Sequence, residues 1–139
     1  MAKENTFANT EETVIVVHKI LCKMMAYVKE NNSTPSLAEK MKDFLNLHTS
    51  SKFRLEDLCE YISMSESQTI RIFREAYGIT PYAYVLDKKI KLAKDMLRNT
   101  RLSVKQIAHN LCFTDEYYFS NVFKSKVGVS PRSYRNNLH

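Results

Sequence analysis

The amino-acid sequence predicts an all-α fold in which two helix-turn-helix subdomains are joined by a long linker helix and preceded by an N-terminal helical extension. Three observations predict it. The 139 residues include only two glycines and three prolines, so few positions would interrupt a helix. Apolar residues recur three and four positions apart along most of the chain, which is typical of amphipathic helices. One short motif also occurs twice, fifty residues apart, as FREAYGITPYAY and FKSKVGVSPRSY.

Residues 1–50 are expected to form the helical extension and a linker. Residues 11–30 are predicted to be one helix, ended by the turn formers of 31–35. A short second helix should follow, because Ser36 and Glu39 have the spacing of a capping box. Five apolar residues of the first helix follow coiled-coil spacing and form a tentative homodimer seam. The seam residues are Val14, Val17, Leu21, Met24 and Val28.

Two alternatives to that seam stay open. The apolar stripe of the helix at 11–30 could dock on the rest of the chain. It could also be a face that has lost its partner in a fragment of a longer protein. Two heptads are short for an independent coiled coil, so the spacing alone does not separate these interpretations.

Residues 51–139 are expected to form the main domain. The first helix-turn-helix is predicted at about 55–77 and the second at about 104–127, with one continuous linker helix at 81–98 between them. Matching positions on the first helices of the two pairs lie forty-nine residues apart, whereas those on the second helices lie fifty apart. The second pair should therefore contain one extra residue where its second helix begins.

The repeated motif predicts the end of one helix followed at once by the start of the next. Gly78 and Gly128 suit a left-handed helix end, which glycine adopts without a Cβ penalty. The next residue should pack back on the ending helix, and a hydroxyl residue and a proline should then begin the new one. These residues are Ile79, Thr80, Pro81, Val129, Ser130 and Pro131, and the candidate aromatic core anchors are Phe73, Tyr84, Phe123 and Tyr134.

The excess positive charge of the chain lies in residues 51–139. The formal net charge is +6, and residues 51–139 hold fifteen Lys and Arg against nine Asp and Glu, so 15 − 9 = +6 accounts for all of it. A basic domain with two helix-turn-helix pairs indicates a nucleic-acid partner. The eighteen residues of the linker helix would rise roughly 27 Å. That could hold two recognition helices about one DNA turn, roughly 34 Å, apart.

The segment from Leu55 to Arg135 closely resembles the DNA-binding region of the AraC/XylS family of bacterial transcription regulators. Its most specific part is IAHNLCFTDEYYFSNVFKSKVGVSPRSYR. The resemblance implies a seven-helix unit that binds double-stranded promoter DNA, usually activates transcription and often contacts RNA polymerase. The chain is too short for this unit and a family effector-binding domain, which suggests a fragment of a longer regulator, although a small standalone regulator is also possible.

Three positions depart from the family pattern. Cys112 stands where glycine is frequent, which predicts either a strained turn or a turn that needs no positive φ. Thr69 replaces a usual leucine, so the first subdomain is expected to pack less tightly. Asn121 stands where arginine is frequent, so the family's base preference at this position is not carried over to the second unit.

The family register implies which residues contact DNA. The base-contacting candidates are Ser67, Gln68, Ile70, Arg71, Glu116, Tyr117, Tyr118, Ser120 and Asn121. Arg71 suits guanine and Asn121 suits adenine, although Arg71 could instead pair with Glu75. Glu116 could accept from cytosine or be an acid favoured by the helix dipole, while Asp115 is the expected cap. The candidates for the DNA backbone are Lys52, Arg54, Arg74, Lys105, Lys124, Lys126, Arg132 and Arg135.

Other function classes find little support in the sequence. The four histidines are scattered and no glycine-rich loop is present, so we expect neither an enzyme nor a cofactor or metal site. Three cysteines without paired spacing favour a reducing cytoplasm, and no apolar run reaches the roughly 18 residues of a membrane span. The main alternative to DNA binding is a helical protein-interaction module that contacts RNA polymerase or a co-regulator without reading bases.

Overall fold

The computed structural model describes the backbone of residues 5–30 and 35–138, and the side chains of 13–28 and 35–138. Within these ranges the chain forms eight α-helices and no strand, which confirms the all-α prediction. They are α1 (Asn5–Glu30), α2 (Leu37–Leu47), α3 (Leu55–Ile62), α4 (Glu66–Tyr77), α5 (Pro81–Asn99), α6 (Val104–Asn110), α7 (Glu116–Val127) and α8 (Pro131–Asn136). Two compact units are distinguished, Met1–Pro35 and Ser36–His139.

The first unit contains α1, which begins at Asn5 rather than at the predicted residue 11. All of its described side chains, 13–28, are exposed. The five seam residues keep between 49% and 62% of their surface exposed. Apolar residues outside the seam are equally exposed, namely Ile15, Val16, Ile20, Met25 and Tyr27. The turn predicted at 31–35 lies outside the described residues, except for Pro35.

The second unit begins with α2, and this differs from the predicted boundary after residue 50. The Ser36 capping box is present: Ser36 Oγ accepts from the Glu39 N–H at 3.2 Å, and Glu39 Oε2 accepts from the Ser36 N–H at 2.7 Å. Met41 and Leu45 are buried in one core with Leu58, Phe73 and Val85. The helix belongs to the first subdomain because its apolar face covers a core that α3 and α4 alone would leave open.

The first helix-turn-helix is formed by α3 (Leu55–Ile62) and α4 (Glu66–Tyr77). Ser63 ends α3 in the left-handed region with φ 55°, and Ser65 caps α4. Gly78 ends α4 with φ 76°, as the motif predicts. The following Ile79 packs against the first core.

The long helix α5 is shared between two cores. It starts at the predicted Thr80 cap and Pro81. Its N-terminal part contributes Val85 to the first core, and its C-terminal part contributes buried residues, including Leu97, to the second. The helix is therefore part of the core of both subdomains and not only the connection between them.

The second subdomain repeats the first with local differences. Gly128 ends α7 with φ 93°, and Ser130 caps α8. Cys112 has φ 56°, so the strained-turn alternative is the correct one. Two residues separate Cys112 from the cap of α7, Asp115, whereas one separates Ser63 from Ser65, which confirms the extra residue. Val129 is 37% exposed and is not among the partly buried residues that pack against the second core, whereas the equivalent Ile79 packs against the first.

Candidate nucleic-acid interface

The first recognition helix, α4, separates a buried face from an exposed one. Thr69 and Phe73 are fully buried. Ser67, Arg71 and Arg74 are exposed and lie four and three residues apart, so they share one side of the helix. Within the described part of the chain no ion pair joins Arg71 to Glu75, which leaves the Arg71 guanidinium available on this side.

The second recognition helix, α7, presents the same arrangement fifty residues later. Phe119 and Phe123 are buried, while Tyr117, Asn121 and Lys124 share an exposed side. Tyr117 is 78% exposed and is the most solvent-accessible of the large apolar side chains on α4 and α7. Each recognition helix thus offers three exposed side chains at matching positions.

Five other base-contacting candidates flank these exposed sides, and three of them are Gln68, Ile70 and Ser120. Ile70 and Ser120, at equivalent positions of α4 and α7, are half-buried. Gln68 belongs to the cap of α4, because its N–H donates to Ser65 Oγ at 3.3 Å and its Oε1 accepts from the Ser65 N–H at 3.4 Å. Since these bonds use the amide oxygen and not the amide nitrogen, Gln68 keeps a donor for a partner.

Tyr118 is tied to α5. Its hydroxyl lies 3.0 Å from the hydroxyl of Tyr82, and this hydrogen bond, followed by burial, raises the pKa of Tyr82. The ring of Tyr118 also lies beside Phe113, with centroids 6.0 Å apart. Tyr118 therefore joins α7 to the start of α5, a contact that the sequence did not reveal.

The two acids at the start of α7 have separate places. Asp115 is the cap, as predicted, and its Oδ1 accepts from the Tyr118 N–H at 2.7 Å. Glu116 is exposed in the first helical turn. The helix dipole favours an acid at this position, and the carboxylate lies on the exposed surface of α7.

The eight candidates for the DNA backbone fall into three groups. Five are exposed and have no ion pair among the residues described here, namely Lys52, Arg74, Lys105, Lys124 and Arg132. Arg54 is exposed and lies 3.8 Å from Glu56. The other two make contacts inside the domain: Lys126 Nζ lies 2.6 Å from Asp87 Oδ1, and Arg135 donates to the carbonyl oxygens of Leu97 and Leu102 at 3.2 and 2.7 Å.

Sequence reasoning missed Lys89, the only charged side chain buried in the described residues. It is 6% exposed, and its Nζ donates to Ser51 O at 3.0 Å and to Leu111 O at 2.7 Å. Burial lowers its pKa, although nearby Cys112 opposes the shift. Lys89 lies four residues after Val85 and four before Ala93, both on the buried face of α5. This helical spacing could have predicted that Lys89 is buried.

The described residues carry no sign of a different kind of site. No three His, Cys, Asp or Glu side chains in them are grouped so that they could hold a metal ion. No helix of the described ranges is long and apolar enough to cross a membrane. The exposed sides of α4 and α7 offer hydrogen-bonding groups, positive charge and the ring of Tyr117.

Two helix-turn-helix pairs sharing one long helix, with matching exposed sides, define a DNA-binding unit of the transcription-regulator type. A family model described as a helix-turn-helix domain matches residues 58–137. The C-terminal domain of the response regulator yesN from Fusobacterium nucleatum superposes with a TM-score of 0.66 at 31% identity, covering 70% of this chain and 95% of that one. The chain belongs to the AraC/XylS family.

Curated relatives agree with this assignment. The Msm operon regulatory protein of Streptococcus mutans is 26% identical over 145 residues, covering 95% of this chain and 52% of its own length. The transcriptional activator RhaR of Mannheimia succiniciproducens is 30% identical over 116 residues, covering 84% of this chain and 42% of its own length. The chain thus spans about half or less of these relatives. Their names describe transcription regulators, in agreement with the prediction that the chain is not an enzyme.

Proposed function

We propose that the chain binds double-stranded promoter DNA sequence-specifically by inserting α4 and α7 into successive major-groove segments. The observation that carries the proposal is the pair of matching exposed sides on the two recognition helices. The nineteen residues of α5 rise roughly 28 Å, which suits two recognition helices about one turn of DNA apart.

On each helix, some side chains suit base edges and others suit phosphates. The guanidinium of Arg71 matches the two acceptors of a guanine edge, and the amide of Asn121 matches adenine. Arg74 and Lys124 stand one turn further along their helices and suit phosphates. Tyr117 is exposed enough to contact a thymine methyl group or a phosphate.

Selection of bound fragments from random duplex DNA tests this proposal. We expect an enriched motif with two half-sites about one helical turn apart, and affinity that falls steeply as salt rises. Arg71→Ala should relax one half-site and Asn121→Ala the other, each by about 1–3 kcal/mol of discrimination. Arg101→Ala removes an exposed arginine outside both recognition helices and is the matched control.

The same experiment decides against the proposal if it fails. Salt-sensitive binding without an enriched motif would favour the alternative, a helical module that contacts RNA polymerase or a co-regulator without base readout. Equal effects of Arg101→Ala and Arg71→Ala on the motif would contradict the assignment of Arg71.

We further propose that the regulator acts in the cytoplasm as an activator that contacts RNA polymerase. The support is the relative whose name describes a transcriptional activator. Transcription in vitro from a promoter carrying the selected motif tests this. A rise in transcript with added protein is expected, whereas a fall would indicate repression.

Homodimerisation through α1 is a separate proposal. Its support is the heptad spacing of the five seam residues, whose side chains are between 49% and 62% exposed. Leu21→Glu should convert a dimer into a monomer in sedimentation measurements on the full chain. Lys23→Glu changes the opposite side of the helix and should leave the mass unchanged. A wild-type monomer at high micromolar concentration would refute the proposal.

A further inference from the structure

Lys89 joins parts of the molecule that are far apart in sequence. Ser51, which accepts one of its hydrogen bonds, lies in the joint between α2 and α3, in the first subdomain. Leu111, which accepts the other, lies in the joint between α6 and α7, in the second. Lys89 itself lies on α5, so one ammonium group connects the shared helix to a backbone carbonyl of each subdomain.

Other contacts run along the same junction. The thiol of Cys112 donates to Ser50 O at 3.5 Å, beside the Lys89 bonds. The ring of Phe113 lies 5.7 Å from the Lys89 ammonium. A cleft of about 160 Å³ opens over this junction, and Lys89, Cys112 and Phe113 are among the residues that line it.

Lys89 holds the turn between α6 and α7, and this turn sets the direction of the second recognition helix. Leu111 immediately precedes the left-handed Cys112, and Asp115, four residues after Leu111, is the cap of α7. A buried ammonium group is stable only while its hydrogen bonds are made. The two carbonyls therefore have to stay within reach of one nitrogen, which restricts how far the second turn can move relative to the first subdomain.

We propose that Lys89 is a positioning residue that fixes the spacing and rotation of α7 relative to α4, and so sets the separation of DNA half-sites that the chain accepts. The inference rests on the proposed function, because it supposes that both helices read DNA. It adds a source of specificity that touches no base. Lys89 acts through the Leu111 turn and not on the DNA.

The test compares full-length variants on duplexes that carry the two half-sites selected by the wild type. The separation is kept as selected, shortened by one base pair or lengthened by one or two, and each half-site is also tested alone. Lys89→Met removes the ammonium group, and Lys89→Arg keeps a cation with several donors. Lys91→Met removes an exposed charge from the same helix and is the matched control.

The expected result is a change in the spacing profile. Lys89→Met should bind the selected separation about tenfold or more weakly, the effect of losing a hydrogen bond to a charged group. It should discriminate less between separations and bind each isolated half-site as the wild type does. Lys89→Arg and Lys91→Met should keep the wild-type profile.

Three outcomes would overturn the inference. An unchanged spacing profile in Lys89→Met would remove the positioning role while leaving the proposed function intact. An equal loss at every separation and on both isolated half-sites would show a role in stability alone. Failure of the wild type to select two half-sites would instead remove the proposed function and the inference with it. If Lys89→Met does not fold, Lys89→Gln, whose shorter amide cannot reach both carbonyls, replaces it with the same outcomes.

Discussion

Replacing Cys112 with glycine should stabilise the protein. Cys112 is held at φ 56°, and a residue with a Cβ pays about 1–2 kcal/mol in this left-handed region. Glycine removes that strain but is about 0.5–1 kcal/mol costlier to order on folding. The thiol contact to Ser50 O is long and exposed, at 3.5 Å, so its loss matters little. The net gain in the free energy of unfolding should be about 0.5–1 kcal/mol.

Thermal and urea unfolding of the full chain measure this gain. For a unit of about 100 residues it corresponds to a rise in Tm of roughly 2–5 °C. Cys112→Ala is the decisive control, because it removes the thiol and keeps the Cβ, and its Tm should not rise. Ser63→Gly, at φ 55° in the equivalent turn, should match Cys112→Gly. If alanine raised the Tm as much as glycine, backbone strain would not be the reason.

The remaining predictions concern the core, the caps and the buried lysine. Phe119→Ala, at a fully buried site between other rings, should lower the free energy of unfolding by about 3–5 kcal/mol in urea; a loss below 1 kcal/mol would contradict its role. Thr80→Ala and Ser130→Ala remove equivalent caps and should each cost about 1 kcal/mol, measured by urea unfolding; no loss in either would count against the repeat. Burial lowers the pKa of Lys89 below its ordinary value of 10.5, so the folded protein loses this proton at a lower pH than the unfolded chain does. The energetic penalty of burying the charge, present at neutral pH, is therefore relieved as pH rises toward 10.5. Titration followed by the Cε chemical shift should give Lys89 a midpoint below 10.5 in the folded protein, and a midpoint at 10.5 would contradict the burial.

Local helix signals were enough to predict most of the fold. The Ser36 capping box, the Gly78 and Gly128 helix ends and the Thr80 and Ser130 caps are all present. Each of these features is formed by residues within four positions of one another, so it can be recognised in the sequence alone. The boundary after residue 50 needed different information, because the helix at 37–47 belongs with whichever core its apolar face meets.

For the candidate site, the sequence predicts which side chains are exposed, while their contacts with DNA stay a prediction. Exposed positions on a recognition helix follow from its periodicity, and Ser67, Arg71 and Asn121 are exposed as the register implies. Contacts between distant segments could not be predicted. The sequence around Lys126 and Arg135 does not show that Lys126 would contact Asp87 or that Arg135 would donate to two carbonyl oxygens, since those partners lie between 33 and 39 residues away.

The shared helix explains why the junction carries directional polar contacts. Val85 is the last buried residue of α5 in the first core, and Ile90 is the first in the second core. A single helical turn lies between them, and two of its residues bond to the second subdomain: Asp87 to Lys126 and Lys89 to the Leu111 carbonyl. Apolar side chains in this turn would tolerate several packings. A buried ammonium group that donates to two particular carbonyls tolerates only one packing. The charged residues therefore lie in the helical turn that determines the relative position of the two recognition helices.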